Sequence, residues 1–347
     1  MVNIREQRKW DHVKKTIEAG SKRCHFYDDV VLLPDSSSLM SYERTDLGCR
    51  IFDKSLSAPL MINAMTGGAK GLERYNEAFA IAARENKIAM AVGSQKAGIT
   101  NPELTDTYKI ARKINPDGLL FANLSALESL ETMKKAVSMI EADAIQLHVN
   151  HAQELSMQEG DRDFKEILKN IEKAVLHLDV PVIVKDVGTG LSRKSAFAFK
   201  HIGVSHFDVG GYGGTNFSEI EEKRMNKESS ALSEIGIPTP ISVMEVKSIE
   251  PPGYIFATGG ITDAGQVIKS LLLGADVAAM AGFILMHYEQ HGTDSLTEKI
   301  ADMISEMKKI FVILGIKNLQ ESNAVEYVLK NEVREWVQQR IPVRQER

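Results

Sequence analysis

Short apolar runs alternate with longer segments of helical spacing through the middle of the chain. Pro59–Met65, Ile88–Ser94, Leu119–Leu124, Ala144–Asn150, Pro181–Val187, His206–Tyr212, Tyr254–Gly260 and Val277–Phe283 are apolar stretches of strand length. Near-continuous runs of this kind suit parallel strands covered on both faces. Between them, Leu72, Tyr75, Phe79 and Ala82/Ala83 recur at three- and four-residue steps within Gly71–Lys87, which predicts an amphipathic helix. Glu131–Ile140 and Phe164–Leu178 repeat that pattern, and Asp263–Leu273 ends at Gly274, a residue suited to a helix C-cap. Eight strand–helix units predict an α/β fold, a TIM (β/α)8 barrel, over a doubly wound sheet with fewer strands.

The barrel is assigned to residues 58–290. Residues 1–57 precede it as an N-terminal arm, and 291–347 follow as a C-terminal helical extension packed on it. Helices are expected there over Ser295–Leu314 and Ala324–Gln338. The sixth connection, Gly213 to Gly253, is long and carries a charged run from Glu219 to Arg224. A loop of that length reads as a lid or as a disordered segment.

Composition narrows the function classes. Lys and Arg number 42 against 47 Asp and Glu, a net charge of −5, so no basic excess points to nucleic acid. Cys24 and Cys49 cannot make a disulfide framework or a four-cysteine zinc site. The charged start, Met1 to Asp11, lacks the apolar stretch of a signal peptide. Val277–Met286, the most apolar run, falls short of the ~20 residues that span a bilayer. A soluble cytoplasmic protein with no membrane partner is expected.

A barrel places its active site at the C-terminal strand ends. There the sequence supplies Ala64-Met65-Thr66, Ser94, Asn123, His148-Val149-Asn150 with Gln153-Glu154, Lys185, Thr215, Gly259-Gly260-Ile261-Thr262 and Ala281-Gly282. Glycine-rich turns after the seventh and eighth strands can bind phosphate through backbone N–H groups, or can simply be tight turns. Lys185 follows Val182-Ile183-Val184 and so needs a partner for its charge. That partner is either an anionic cofactor ring or a core carboxylate such as Asp186. Thr66, Ser94, Asn123 and Thr215 are neutral hydrogen-bonding groups of the kind that line a heteroaromatic ring, and beside a phosphate site they point to flavin mononucleotide, FMN. Glu154, the one carboxylate in its short run, suits Mg2+ held mostly by water and substrate phosphate. His148 reads either as functional or as a packed strand-end residue. Arg8-Lys9 reads either as a solvated helix start or as a clamp on substrate phosphate.

Together these residues resemble the type 2 isopentenyl-diphosphate delta-isomerases. The matching motifs are Arg8-Lys9 with His12, Ile62-Asn63-Ala64-Met65-Thr66-Gly67-Gly68, Gly93-Ser94-Gln95, His148-Val149-Asn150 with Gln153-Glu154, Val184-Lys185, Gly213-Gly214-Thr215-Asn216-Phe217 and Gly259-Gly260-Ile261. The resemblance implies an FMN-binding barrel that interconverts isopentenyl and dimethylallyl diphosphate with Mg2+, NADPH serving as flavin reductant. It implies substrate binding by Arg8, Lys9, Gln153, His148 and Asn150, and Mg2+ binding by Glu154. It implies FMN binding by Ala64, Met65, Thr66, Ser94, Asn123, Lys185, Thr215, the Gly259–Thr262 turn and Ala281-Gly282. No side chain is assigned as the catalytic acid or base, a role the resemblance leaves to reduced FMN. A homo-oligomer, tetramer or octamer, is expected. Lys96 departs from an arginine found in some members, keeping the charge without the bidentate fork. The competing reading, an FMN oxidoreductase of 2-hydroxy acids, needs a histidine base beside an arginine near the late strands. Gly210–Thr215 and Thr258–Thr262 contain neither residue.

Overall fold

The computed structural model describes residues 4–20, 22–225, 227–228 and 230–341. Eight parallel strands close into a barrel in chain order. They are β1 (Leu60–Ile62), β2 (Ala89–Ala91), β3 (Leu120–Ser125), β4 (Ala144–Val149), β5 (Val182–Asp186), β6 (His206–Asp208), β7 (Ile255–Thr258) and β8 (Val277–Met280). Each coincides with an apolar run read from the sequence, β3 extending one residue further to Ser125. The closing pair sets Met280 of β8 beside Ile62 of β1. Inside, Met61, Phe121, Ile183, Phe256 and Ala279 pack into one apolar cluster. The outward faces of the strands pack on the surrounding helices, where Tyr75 and Phe79 are buried as their spacing predicts.

The arm serves both ends of the barrel. Its hairpin, Cys49–Ile51 paired with Lys54–Leu56, adds Ile51 and Leu56 to the interior cluster. The hairpin turn holds Phe52 at φ 43°, edge-on to Phe121, His206 and Tyr254. That seals the N-terminal end of the strands. The helix Ile4–Ala19 lies across the opposite end, where the site is.

Two expectations need correction. Residues 324–338 are not one helix. A 3-10 turn, Leu319–Ala324, leads into a strand, Tyr327–Leu329, that pairs antiparallel with Val30–Leu32 of the arm, and the helix begins only at Asn331. Three β-favouring residues find a partner strand that local pattern could not reveal. The sixth connection, read as a lid or a disordered segment, is not a disordered one: it holds helices Phe217–Arg224 and Thr239–Lys247. Asn216 caps the first by accepting from the Glu219 N–H. In the extension, helix Gly282–Ile313 breaks its geometry at Gly292 (φ 81°, ψ −175°). Among the described residues, no helix is long and apolar enough to cross a membrane.

Candidate active site

Loops after β1 and β5–β8 enclose a cavity of about 900 Å3, counted with its open mouth. Ala64, Met65 and Thr66 form one wall, and Lys185 and Thr215 stand on the β5–β6 side. The Gly259–Thr262 turn and Ala281-Gly282 form the far end. The arm roofs it with His12, Val13 and Thr16, joined by Phe217 of the sixth connection. A Cβ on Gly214 would stand 2.4 Å from the Gly260 nitrogen, so these turns approach backbone to backbone. Gly260 itself has φ 69°, which a side chain would strain. Helix Gly282–Ile313 starts at the cavity and aims its first N–H groups towards that end. Thr66 Oγ1 is buried with no hydrogen-bond partner among the described residues.

Eleven of the thirteen residues expected to hold a cofactor line this cavity; Ser94 and Asn123 do not. Ser94 contributes its backbone oxygen to other groups, accepting from Lys9 Nζ at 3.2 Å and Tyr108 OH at 2.7 Å. Asn123 lies in a polar layer beneath the cavity floor. In that layer Asn63 donates to Asp208 Oδ2 at 2.7 Å and to Thr258 at 2.8 Å. Gln146 donates to Asn63 Oδ1 at 2.9 Å and to Asp208 Oδ2 at 3.2 Å. Asn123 donates to Gln146 Oε1 at 3.0 Å and meets His148 Nδ1 at 3.0 Å.

Of the two partners read for Lys185, the structure shows a core carboxylate. Lys185 Nζ is 3.3 Å from Asp208 Oδ2, a cross-strand neighbour on β6, and Lys185 also lines the cavity. Asp186 is not the carboxylate involved. It lends Lys185 only its backbone oxygen, at 3.0 Å, while its Oδ1 accepts from Thr189 and Gly190.

The other predicted residues gather on the β4 side of the mouth. Gln153 and Glu154 stand on helix His151–Ser156, capped by Asn150. Asn150 also donates to Gln153 Oε1. Gln153 Nε2 donates to Glu221 Oε1 at 3.1 Å, and His12 Nε2 donates to the same oxygen at 2.6 Å. Arg224 completes the carboxylate's shell at 2.7 Å. Burial opposes the Glu221 charge, yet the bonds from His12 and Gln153 and the Arg224 cation hold its carboxyl below the ordinary value. Glu221 thereby ties the arm helix, the β4 helix and the sixth connection together.

Arg8 and Lys9 face this cluster from the arm. Arg8 Nη1 reaches Met157 Sδ at 3.6 Å and Glu159 at 4.0 Å, while its buried Nε has no partner among the described residues. Burial, with Arg8 beside it, pushes the Lys9 amine down to about 8. Burial, then Lys9 and Lys185, push the His148 imidazole down to about 3, so the ring is neutral at physiological pH. Glu154 Oε2 accepts from the Asp161 N–H at 2.9 Å, and burial raises its carboxyl above the usual range. Among the described residues no three His, Cys, Asp or Glu side chains form a metal cluster. Lys96 is paired with Glu128.

No protein-family model matches the chain. Its sequence is 41% identical over 339 residues to the isopentenyl-diphosphate delta-isomerase of Bacillus cytotoxicus, covering 97% of each. It is 41% identical over 314 residues to that of Lactococcus lactis, covering 90% of each. The chain belongs to the isopentenyl-diphosphate delta-isomerase family. Among solved structures, mandelate oxidase superposes with a TM-score of 0.65 at 13% identity, over 92% of this chain and 90% of that one. At that identity the likeness is one of fold alone.

The sequence motifs reached the walls of the site and part of its floor, through Asn63, Asn123 and His148, but missed Gln146 and Asp208 there and Glu221 at the fastening. Gln146 sits inside a mostly apolar strand and Asp208 lies between Phe207 and Val209, and that contrast was the available signal. Glu221 sits in a charged run that reads as solvated, and nothing local marks it as fully buried.

Proposed function

We propose that this enzyme interconverts isopentenyl and dimethylallyl diphosphate, using reduced FMN and Mg2+, with NADPH serving only to reduce the flavin. The observation that carries the reading is the meeting of two half-sites. A cavity with a glycine-rich end at a helix N-terminus, and a Thr66 hydroxyl unpartnered among the described residues, opens beside a mouth where Arg8 and Lys9 face Gln153 and Glu154. FMN suits the first half-site: its phosphate has the Gly259-Gly260 and Ala281-Gly282 turns, and its ring has Thr66 and Lys185. Glu154, a half-buried carboxylate at the mouth, suits Mg2+ held otherwise by water and phosphate oxygens.

When bound, reduced FMN supplies a proton donor near the alkene and a ring able to carry negative charge. The chain's own residues do the rest. Lys185 keeps a cation at the cavity wall. Arg8 and Lys9 bind the diphosphate, and Glu154 would hold a Mg2+ ion, which would offset the diphosphate charge. The arm helix excludes water that would quench a cationic intermediate.

The purified protein is expected to show a flavin spectrum that bleaches with NADPH. A colourless protein that cannot be reconstituted with FMN overturns the reading. Photoreduced enzyme, given substrate and Mg2+ without NADPH, is expected to form product over many turnovers. Product appearing only as NADPH is oxidised one for one would exclude an isomerisation without net redox change.

Lys9 predicts the pH dependence. Its amine loses a proton near pH 8 in the folded state, against 10.5 ordinarily. An anionic substrate needs the cation, so kcat/KM is expected to fall as pH rises through about 8. Lys9→Arg should shift that limb to higher pH. Stability moves the opposite way. The unfolded chain holds the proton up to about 10.5, so the cost of burying Lys9 is full below pH 8 and is relieved between 8 and 10.5.

A further inference from the structure

We infer that Asp208 fixes the tautomer of His148 through a chain of oriented amides, so that His148 Nε2 offers a lone pair to whatever occupies the mouth of the site. An ionised carboxylate only accepts hydrogen bonds. Asp208 Oδ2 therefore takes N–H groups from both Asn63 and Gln146, together with Lys185. Its Oδ1 takes the Gly210 N–H at 3.2 Å.

With its amide nitrogen turned to Asp208 and Asn63, Gln146 must present its oxygen to Asn123. Asn123 then donates with its nitrogen and turns its own oxygen to His148 Nδ1. An amide oxygen is no donor, so the proton at that contact belongs to Nδ1. Asn63 fits no other orientation, because its oxygen already accepts from Gln146 and from the Ala64 N–H at 2.8 Å. The layer has no slack, and Asp208, fully buried, is the end that sets its direction.

Because His148 is neutral, its tautomer decides its chemistry. Nε2 has no hydrogen-bond partner among the described residues and is an acceptor. A diphosphate oxygen has no proton to give it, so the phosphate falls to Arg8 and Lys9. The group beside Nε2 must carry an O–H or N–H: a water molecule, a hydrogen-bearing ligand edge or the Lys9 ammonium. This inference rests on the proposed function only in taking the mouth as the substrate site.

The test is the nitrogen spectrum of His148 in the FMN-loaded protein labelled with [15N]histidine, the signal being assigned by its loss in His148→Gln. Long-range proton–nitrogen correlation at neutral pH is expected to show Nδ1 protonated and Nε2 bare. The reverse pattern, or protonation of both nitrogens near neutral pH, overturns the inference without any further variant. Gln146→Met cuts the chain between Asp208 and Asn123 at nearly constant volume. It is expected to release His148 into a mixture of tautomers, seen as both nitrogens moving towards averaged positions. An unchanged spectrum removes Asp208 from the account. If Gln146→Met does not fold, Gln146→Leu replaces it, and failure of both makes Gln146 a packing residue and overturns the relay. Neither readout depends on turnover. A protein with the expected spectrum and no isomerase activity would fail the functional reading alone.

Discussion

Lys185→Ala is expected to lose both stability and FMN, and the two losses are separable. Lys185 is one half of a buried ion pair with Asp208. Removing one partner of such a pair leaves an uncompensated charge and typically costs about 3–5 kcal/mol. Asn63, Gln146 and the Gly210 N–H still solvate Asp208, which argues for the lower part of that range. The urea midpoint should fall accordingly, with an unchanged slope. Lys185→Ala combined with Asp208→Asn should recover most of the stability, since no buried charge is then left alone. Flavin retention should not recover, because the cation facing the cavity is still missing. Lys185→Arg keeps a cation and should retain more FMN than Lys185→Ala. Equilibrium unfolding and flavin content of the three variants decide the matter. A double variant that regains full flavin content and activity would make Lys185 a core ion-pair residue and no more.

Arg8→Ala should raise the apparent KM for isopentenyl diphosphate by about 10- to 100-fold, leaving FMN content and the far-UV spectrum unchanged. A charge-assisted contact is typically worth ~1.5–3 kcal/mol, and ~1.4 kcal/mol corresponds to one decade. The free protein spends little of Arg8's bonding capacity. Among the described residues its contacts are a thioether sulfur at 3.6 Å and a half-exposed carboxylate at 4.0 Å, and its buried Nε has no partner. A guanidinium held in that way has donors free for an anion. Lys96, the other cation available at the strand ends, is already engaged by Glu128. The arm itself stays attached in Arg8→Ala, because His12–Glu221 and Lys9–Ser94 are untouched. Steady-state kinetics with unaltered KM and kcat in both Arg8→Ala and Lys9→Ala would return the segment to a solvated helix.

The eight strands were legible because burial on both faces forces near-continuous apolar runs, and that demand is local. The strand-end residues stood out for the same reason: Lys185 after three aliphatics, or two adjacent glycines after Thr258, contradict their surroundings. What the sequence could not show is which residues meet. Lys185 reads equally well with Asp186 next to it, but successive residues of a strand point to opposite sides. Barrel closure instead brings Asp208 across from the neighbouring strand. Glu221 reads as one charge in a run of charges. It becomes a buried junction only because three segments far apart in the chain, around positions 12, 153 and 221, converge over one mouth. Tyr327-Val328-Leu329 gives no helix, because a strand near the start of the chain is there to pair with it. Periodicity and local contrast are properties of neighbours along the chain. The partner of a buried charge, the direction of an amide and the tautomer of a histidine are set by neighbours in space, and only the folded barrel supplies those.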